Sequence, residues 1–186
     1  MANCSDDIIS LIPSCDTLKT KGGVQKKVWV APHDSDLVTY TLDGDGYIDS
    51  VTLATTSPAQ TLKVFSGKKL KNNGAITGEV GDNASTLNQD LNLELWAETP
   101  EEREAVEKLF YAEEVDVFVQ RTSGAIELWG YNTGLKASAL TGGTGTALND
   151  KVSYTLTLSG QQDNLPKVCK FGATYADDVA YLNALT

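Results

Sequence analysis

The chain is 186 residues long, 41% of them hydrophobic and 22% charged, enough for one domain whose core needs neither metal nor disulfide. Its 25 acidic residues outnumber 15 Lys and Arg, for a formal net charge of −10, which argues against nucleic-acid binding because that needs a basic footprint. No apolar run reaches the roughly 18 residues of a membrane span, and Met1-Ala2-Asn3-Cys4-Ser5-Asp6-Asp7 lacks the basic start and apolar centre of a secretory signal.

Residues 1–25 read as an N-terminal arm, with one helical turn from Asp7 to Ile12 ended by Pro13, then Gly22-Gly23 as punctuation. From Lys26 the pattern changes to strands. Lys27–Ala31 is rich in β-formers, Leu37–Leu42 is a second run, and Tyr47–Leu53 alternates apolar with polar as a half-buried strand does. Asp43-Gly44-Asp45-Gly46 joins the last two into a hairpin. Residues 54–98 hold further strands, Thr61–Phe65, Ala75–Val80 and Leu91–Trp96, separated by long polar turns. The stretch from about 66 to 90 has few apolar residues, and the expectation is a protruding hairpin or loop ordered by a partner.

One helix is signalled strongly. Thr99-Pro100-Glu101-Glu102 is a capping box with Pro at the first helical position. Glu101 and Glu102 suit the positive end of the helix dipole. Val106, Leu109 and Phe110 form an apolar stripe, so the helix is placed at about 99–112. Strands follow at Val115–Gln120, Ala125–Gly130, Gly134–Leu140 and Val152–Gly160, with a Gly/Thr loop, Thr141–Thr146, before the last. Residues 172–186 read as a C-terminal tail. Tyr175, Val179, Tyr181 and Leu182 are poorly spaced for a lone core and are expected to dock on a neighbouring subunit. The fold class is therefore mainly β: a β-sandwich or partial barrel over 26–171, with one flanking helix and extended N- and C-terminal arms.

Little in the chain points to catalysis. His33, between Pro32 and Asp34, has no nucleophile motif around it and reads as a loop histidine. The glutamates from Glu101 to Glu114 read as a solvated helix face. Asp43–Asp49 matches part of a calcium loop, but Thr41 and Thr52 stand where its outer acidic ligands belong, so a plain β-turn is expected. Gly142–Thr146 lacks the Lys and the helix of a phosphate loop. Three cysteines, Cys4, Cys15 and Cys169, with no C-x-x-C spacing, read as free thiols; a Cys4–Cys15 bridge stays open. The reading is a structural protein without metal or cofactor, not an enzyme.

Lys68, Lys69 and Lys71, with Asn72 and Asn73 beside them, make the one basic cluster apart from Lys26 and Lys27. A basic loop on an acidic body can dock head-to-tail on an identical copy, which builds rings or filaments. A solvated loop is the alternative.

The order from the Glu-rich helix through Val115-Asp-Val-Phe-Val119, Glu127-Leu-Trp-Gly130, Asn132-Thr-Gly-Leu135 and Lys151–Gly160 resembles virion structural proteins of tailed bacteriophages, particularly the tail tube family. Lys27-Val-Trp-Val-Ala31 and the Asp-Gly hairpin add to the resemblance, which spans about residues 25–165. It implies a subunit of stacked, hexameric rings around an acidic channel through which DNA slides. The partners would be copies of itself and other tail or neck proteins, with neither specific nucleic-acid binding nor a membrane. The location would be the virion, after assembly in the bacterial cytoplasm. The stacking contacts would fall on Lys68, Lys69, Lys71, Asn72 and Asn73, and the arm contacts on Tyr175, Tyr181 and Leu182. An auxiliary, decoration or neck-ring protein of the phage head is the alternative within the same resemblance.

Overall fold

A computed structural model describes residues 23–55, 59–67, 71–80, 85–143 and 153–186. Its strands are β1 (Val24–Pro32), β2 (Val38–Leu42), β3 (Ile48–Leu53), β4 (Lys63–Ser66), β5 (Asn73–Val80) and β6 (Ser85–Trp96). Helix α1 (Pro100–Tyr111) follows, then β7 (Val115–Arg121), β8 (Ile126–Trp129), β9 (Lys136–Gly143), β10 (Ser153–Gln162), β11 (Lys167–Cys169) and α2 (Tyr175–Ala184). The strands form a seven-stranded sheet, in the order β2-β3-β11-β8-β7-β1-β4, and a four-stranded sheet, β5-β6-β10-β9. This is the expected β-sandwich with a flanking helix; neither sheet closes into a barrel.

The strand sequences explain the layers. β1 and β7 carry nearly unbroken apolar runs, Val28-Trp-Val-Ala31 and Val117-Phe-Val119, so both of their faces must be covered. Val28, Val30, Val117 and Val119 turn inward and meet Leu91, Leu93 and Leu95 of β6, Leu156 and Leu158 of β10, and Val106 and Leu109 of α1. Trp29, Ala31 and Phe118 face the other way, into a second core with Ile48, Val51, Leu62, Ile126, Leu128, Cys169 and Leu182. β6 and β10 alternate cleanly instead, because only one of their faces packs on the core. Gly74 lets β5 cross Trp129: a Cβ there would lie 2.3 Å from the indole ring.

The sequence signals for local structure hold. α1 has the reciprocal cap, with Thr99 Oγ1 accepting from the Glu102 N–H (3.2 Å) and Glu102 Oε2 accepting from the Thr99 N–H (3.0 Å). In the β2–β3 turn, Asp43 Oδ1 accepts from the amides of Asp45 (2.9 Å) and Tyr47 (2.8 Å), which is an Asx-type turn.

The C-terminal end corrects an expectation. Residues 172–186 are not an extended arm awaiting a neighbour; α2 folds back on the chain's own second core. Thr174 and Asp177 form a reciprocal cap. Asp178, almost fully buried, accepts from the N–H groups of Phe171 (2.7 Å) and Gly172 (2.9 Å). Among the described residues there are thus two helices, one covering each side of the larger sheet. The 66–90 stretch divides likewise. β5 is exposed along its whole length, while β6, starting at Ser85, runs down into the core. The arm's residues 1–22 lie outside the described residues; Val24 already belongs to β1.

Candidate functional site

The outer face of the four-stranded sheet is an extended polar surface built by the fold. Residues paired across antiparallel strands share a face. The register sets Asn73, Ala75, Thr77 and Glu79 of β5 beside Asn92, Asp90, Asn88 and Thr86 of β6. Thr155, Thr157 and Ser159 of β10 continue the face opposite Glu94, Asn92 and Asp90. β9 completes it with Thr141, Ala139 and Lys136. Short side chains tie into ladders: Thr157 Oγ1 donates to Asn92 Oδ1 (2.7 Å), Ser159 Oγ donates to Asp90 Oδ1 (2.6 Å), and Ser138 Oγ lies 3.1 Å from Ser159 Oγ. The named residues of this face carry three carboxylates, Glu79, Asp90 and Glu94, against Lys136.

Both edges of this sheet are open among the described residues. β5 pairs with β6 alone, and β9 pairs with β10 alone. Ile76 is 41% exposed and Val80 is 89% exposed on β5. Unpaired strand edges with exposed apolar side chains are templates for pairing with another chain.

The residues singled out from the sequence fall in different places. Lys68 and Lys69 lie outside the described residues, and Lys71 is exposed in the turn before β5. Asn73 opens β5 and is exposed. Asn72 is buried and is not a stacking residue. Its Nδ2 donates to the Gln25 carbonyl (3.0 Å), its Oδ1 accepts from the Glu94 N–H (2.9 Å), and its own carbonyl accepts from the Val24 N–H (3.3 Å). It clamps the crossover between the two sheets. Tyr181 stacks on Phe171 (4.4 Å), and its hydroxyl both accepts from the Val51 N–H (3.1 Å) and donates to the Val51 carbonyl (3.2 Å). Leu182 is fully buried. Leu182 is therefore not available to a neighbour, while Tyr181 is partly buried with its hydroxyl committed to Val51. Tyr175 is 55% exposed, its ring lying over Gly124, and is the member of the C-terminal set still at the surface.

One polar cluster was missed. Asp116, 1% exposed on β7, accepts from the Tyr40 hydroxyl (2.6 Å) and is bonded to His33 Nδ1 (2.8 Å). Burial raises the Asp116 carboxyl to about 6; the Tyr40 and His33 bonds pull the other way. Burial and the Asp116 charge push the Tyr40 hydroxyl well above its ordinary range. His33 does sit in a loop, as expected, but it is tied down. The cluster borders an open cleft with Tyr131, Asn132 and Asp163. Buried Gln162 holds the cleft's 132–134 turn, accepting from the Asn132 N–H (2.9 Å) and donating to the Gly134 carbonyl (2.8 Å). The available signal was an Asp in a strand whose neighbours are all apolar, a position that requires buried partners. The cluster fastens β2 and the β1–β2 turn to β7. Cys169 is free and buried, its thiol pushed up first by burial and then by nearby Asp178 and Glu127.

No group of three or more His, Cys, Asp or Glu side chains among the described residues could hold a metal. No helix among them is long and apolar enough to cross a membrane. No protein-family model, curated protein or solved structure matches the chain.

Proposed function

We propose that this chain is a structural subunit of a bacteriophage tail tube, in which copies join into stacked hexameric rings around a channel for DNA. The observation that carries the reading is the four-stranded sheet: two edges that are open among the described residues flank a face of short, mutually bonded polar side chains with a surplus of carboxylates. Pairing β5 of one copy with β9 of the next would extend the sheet around a ring and remove both exposed edges. A face of short polar groups on which carboxylates outnumber the single named cation, Lys136, repels phosphates on balance. The segment on which the resemblance to tail tube proteins rests runs from α1 through β7, β8 and β9 to β10. The β4–β5 loop, with Lys71 exposed, is the proposed element that docks on the next ring.

Negative-stain electron microscopy of the purified chain at increasing concentration tests this. Six-fold rings or tubes are expected. Small particles at every concentration that bind purified phage heads and not tails would overturn the reading in favour of a head decoration or neck-ring protein. Long tubes formed by a chain lacking residues 68–71 would remove the stacking role from that loop.

A further inference from the structure

The cleft beside the Asp116 cluster has a volume of about 800 Å³, within the roughly 300–1,000 Å³ of small-molecule sites. Its lining is polar: Val38 is the one hydrocarbon side chain on it, and no Lys or Arg stands among the lining residues. A buried polar side chain is tolerated only where its groups are bonded. Of the five that are buried among the described residues, three brace the walls of this one cleft. Asp116 fixes the Tyr40 hydroxyl (2.6 Å) and His33 Nδ1 (2.8 Å). Gln162 Oε1 accepts from the N–H groups of Asn132 (2.9 Å) and Thr133 (3.3 Å), and its Nε2 donates to Thr133 Oγ1 (2.7 Å). Gln89 Oε1 accepts from the Gly130 N–H (3.2 Å), and its Nε2 donates to the Asn164 carbonyl (2.9 Å), next to Asp163. The walls that carry Tyr131, Asn132 and Asp163 are thus held in place from behind, as a pre-formed site requires.

We propose that this cleft binds a neutral saccharide, through one pyranose ring. Ser35, Thr39, Asp34 and Asp163 line it and are exposed, and Asn132 is half-buried. Hydroxyl and amide groups both donate and accept, and the two carboxylates accept, which matches a ligand whose hydroxyls do both. The half-buried Tyr131 ring supplies an apolar wall for the C–H side of a sugar. Carboxylates with no cation on the lining disfavour a phosphate or a carboxylate ligand. A cationic ligand is disfavoured for a different reason. Lys167 Nζ already lies over the Tyr131 ring, 5.6 Å from its centroid, where an incoming ammonium would gain most from the aromatic face. The inference does not depend on the tail tube reading.

Titration of the full-length, isotope-labelled chain, followed by amide NMR shifts, tests it. The probes are the methyl pyranosides of glucose, galactose, mannose and N-acetylglucosamine, with spermidine and inorganic phosphate as the charged alternatives. At least one pyranoside is expected to give saturable shifts at Ser35, Thr39, Tyr131, Asn132 and Asp163, with a Kd of about 1–10 mM, as suits a single small ring. Asn132→Ala and Asp163→Ala are each expected to weaken that binding about tenfold, the loss of one hydrogen bond, with the rest of the spectrum unchanged. Saturable shifts with spermidine or phosphate alone would assign the cleft to a charged ligand and overturn the proposal. Pyranoside shifts that do not saturate, that fall elsewhere, or that survive both substitutions unchanged would overturn it as well, and so would no shift with any pyranoside.

Discussion

Replacing Asp116 with Asn isolates what burying a carboxylate costs this fold. Asp116 is held at about 6 against an ordinary 3.8, chiefly by burial. Tyr40 from β2 and His33 from the β1–β2 turn oppose that rise, and the charge of Glu114 adds to it. At about 1.4 kcal/mol per unit, ionising Asp116 costs about 3 kcal/mol more in the folded chain than in the unfolded one. The folded chain therefore binds this proton more tightly. Stability from this group falls as pH rises from about 4 through about 6, and above that the full deficit persists. Asn has no proton to lose and keeps an acceptor for the Tyr40 hydroxyl. Urea unfolding of both chains at pH values between about 4 and 7 reads the effect. The stability of the variant minus that of the natural chain should rise by about 3 kcal/mol across the window. A difference that stays flat refutes the argument. One that falls shows that an ion pair with His33, not burial, sets the energy of this carboxylate.

Two further substitutions test the reassigned residues. Leu182→Ala should destabilise the isolated chain by about 2–5 kcal/mol in urea, as a cavity in a core does; an unchanged midpoint would return the C-terminal segment to the role of an arm. Asn72→Ala leaves the Glu94 N–H and the Gln25 carbonyl without their partner and should cost about 1–3 kcal/mol, with rings still forming where stability permits; normal stability with lost rings would put Asn72 back at an interface.

Where a structural choice depends on neighbours a few residues apart, the sequence alone determined it. The α1 cap is complete within Thr99–Glu102, the Asp43 turn closes on its own amides, and the Leu91, Leu93, Leu95 alternation announces a strand with one wet face. The sandwich class and the one-sided polar alternation of β6 and β10 follow from the same short-range patterns. α2 escaped because its cap uses Asp177 where Glu or Gln is the usual signal, and because its apolar residues are too few to show a stripe until the second core supplies the other side. Only the tertiary structure decided which strands are edges, that Asn72 bridges two sheets, and that Asp116 meets residues 76 and 83 positions away in the chain. The physical reason is the same in each case. Hydrogen bonding and backbone preference act over a turn or a strand and are written locally. Burial is set by whichever distant segment arrives to exclude water, and a side chain's polarity does not say which one that is.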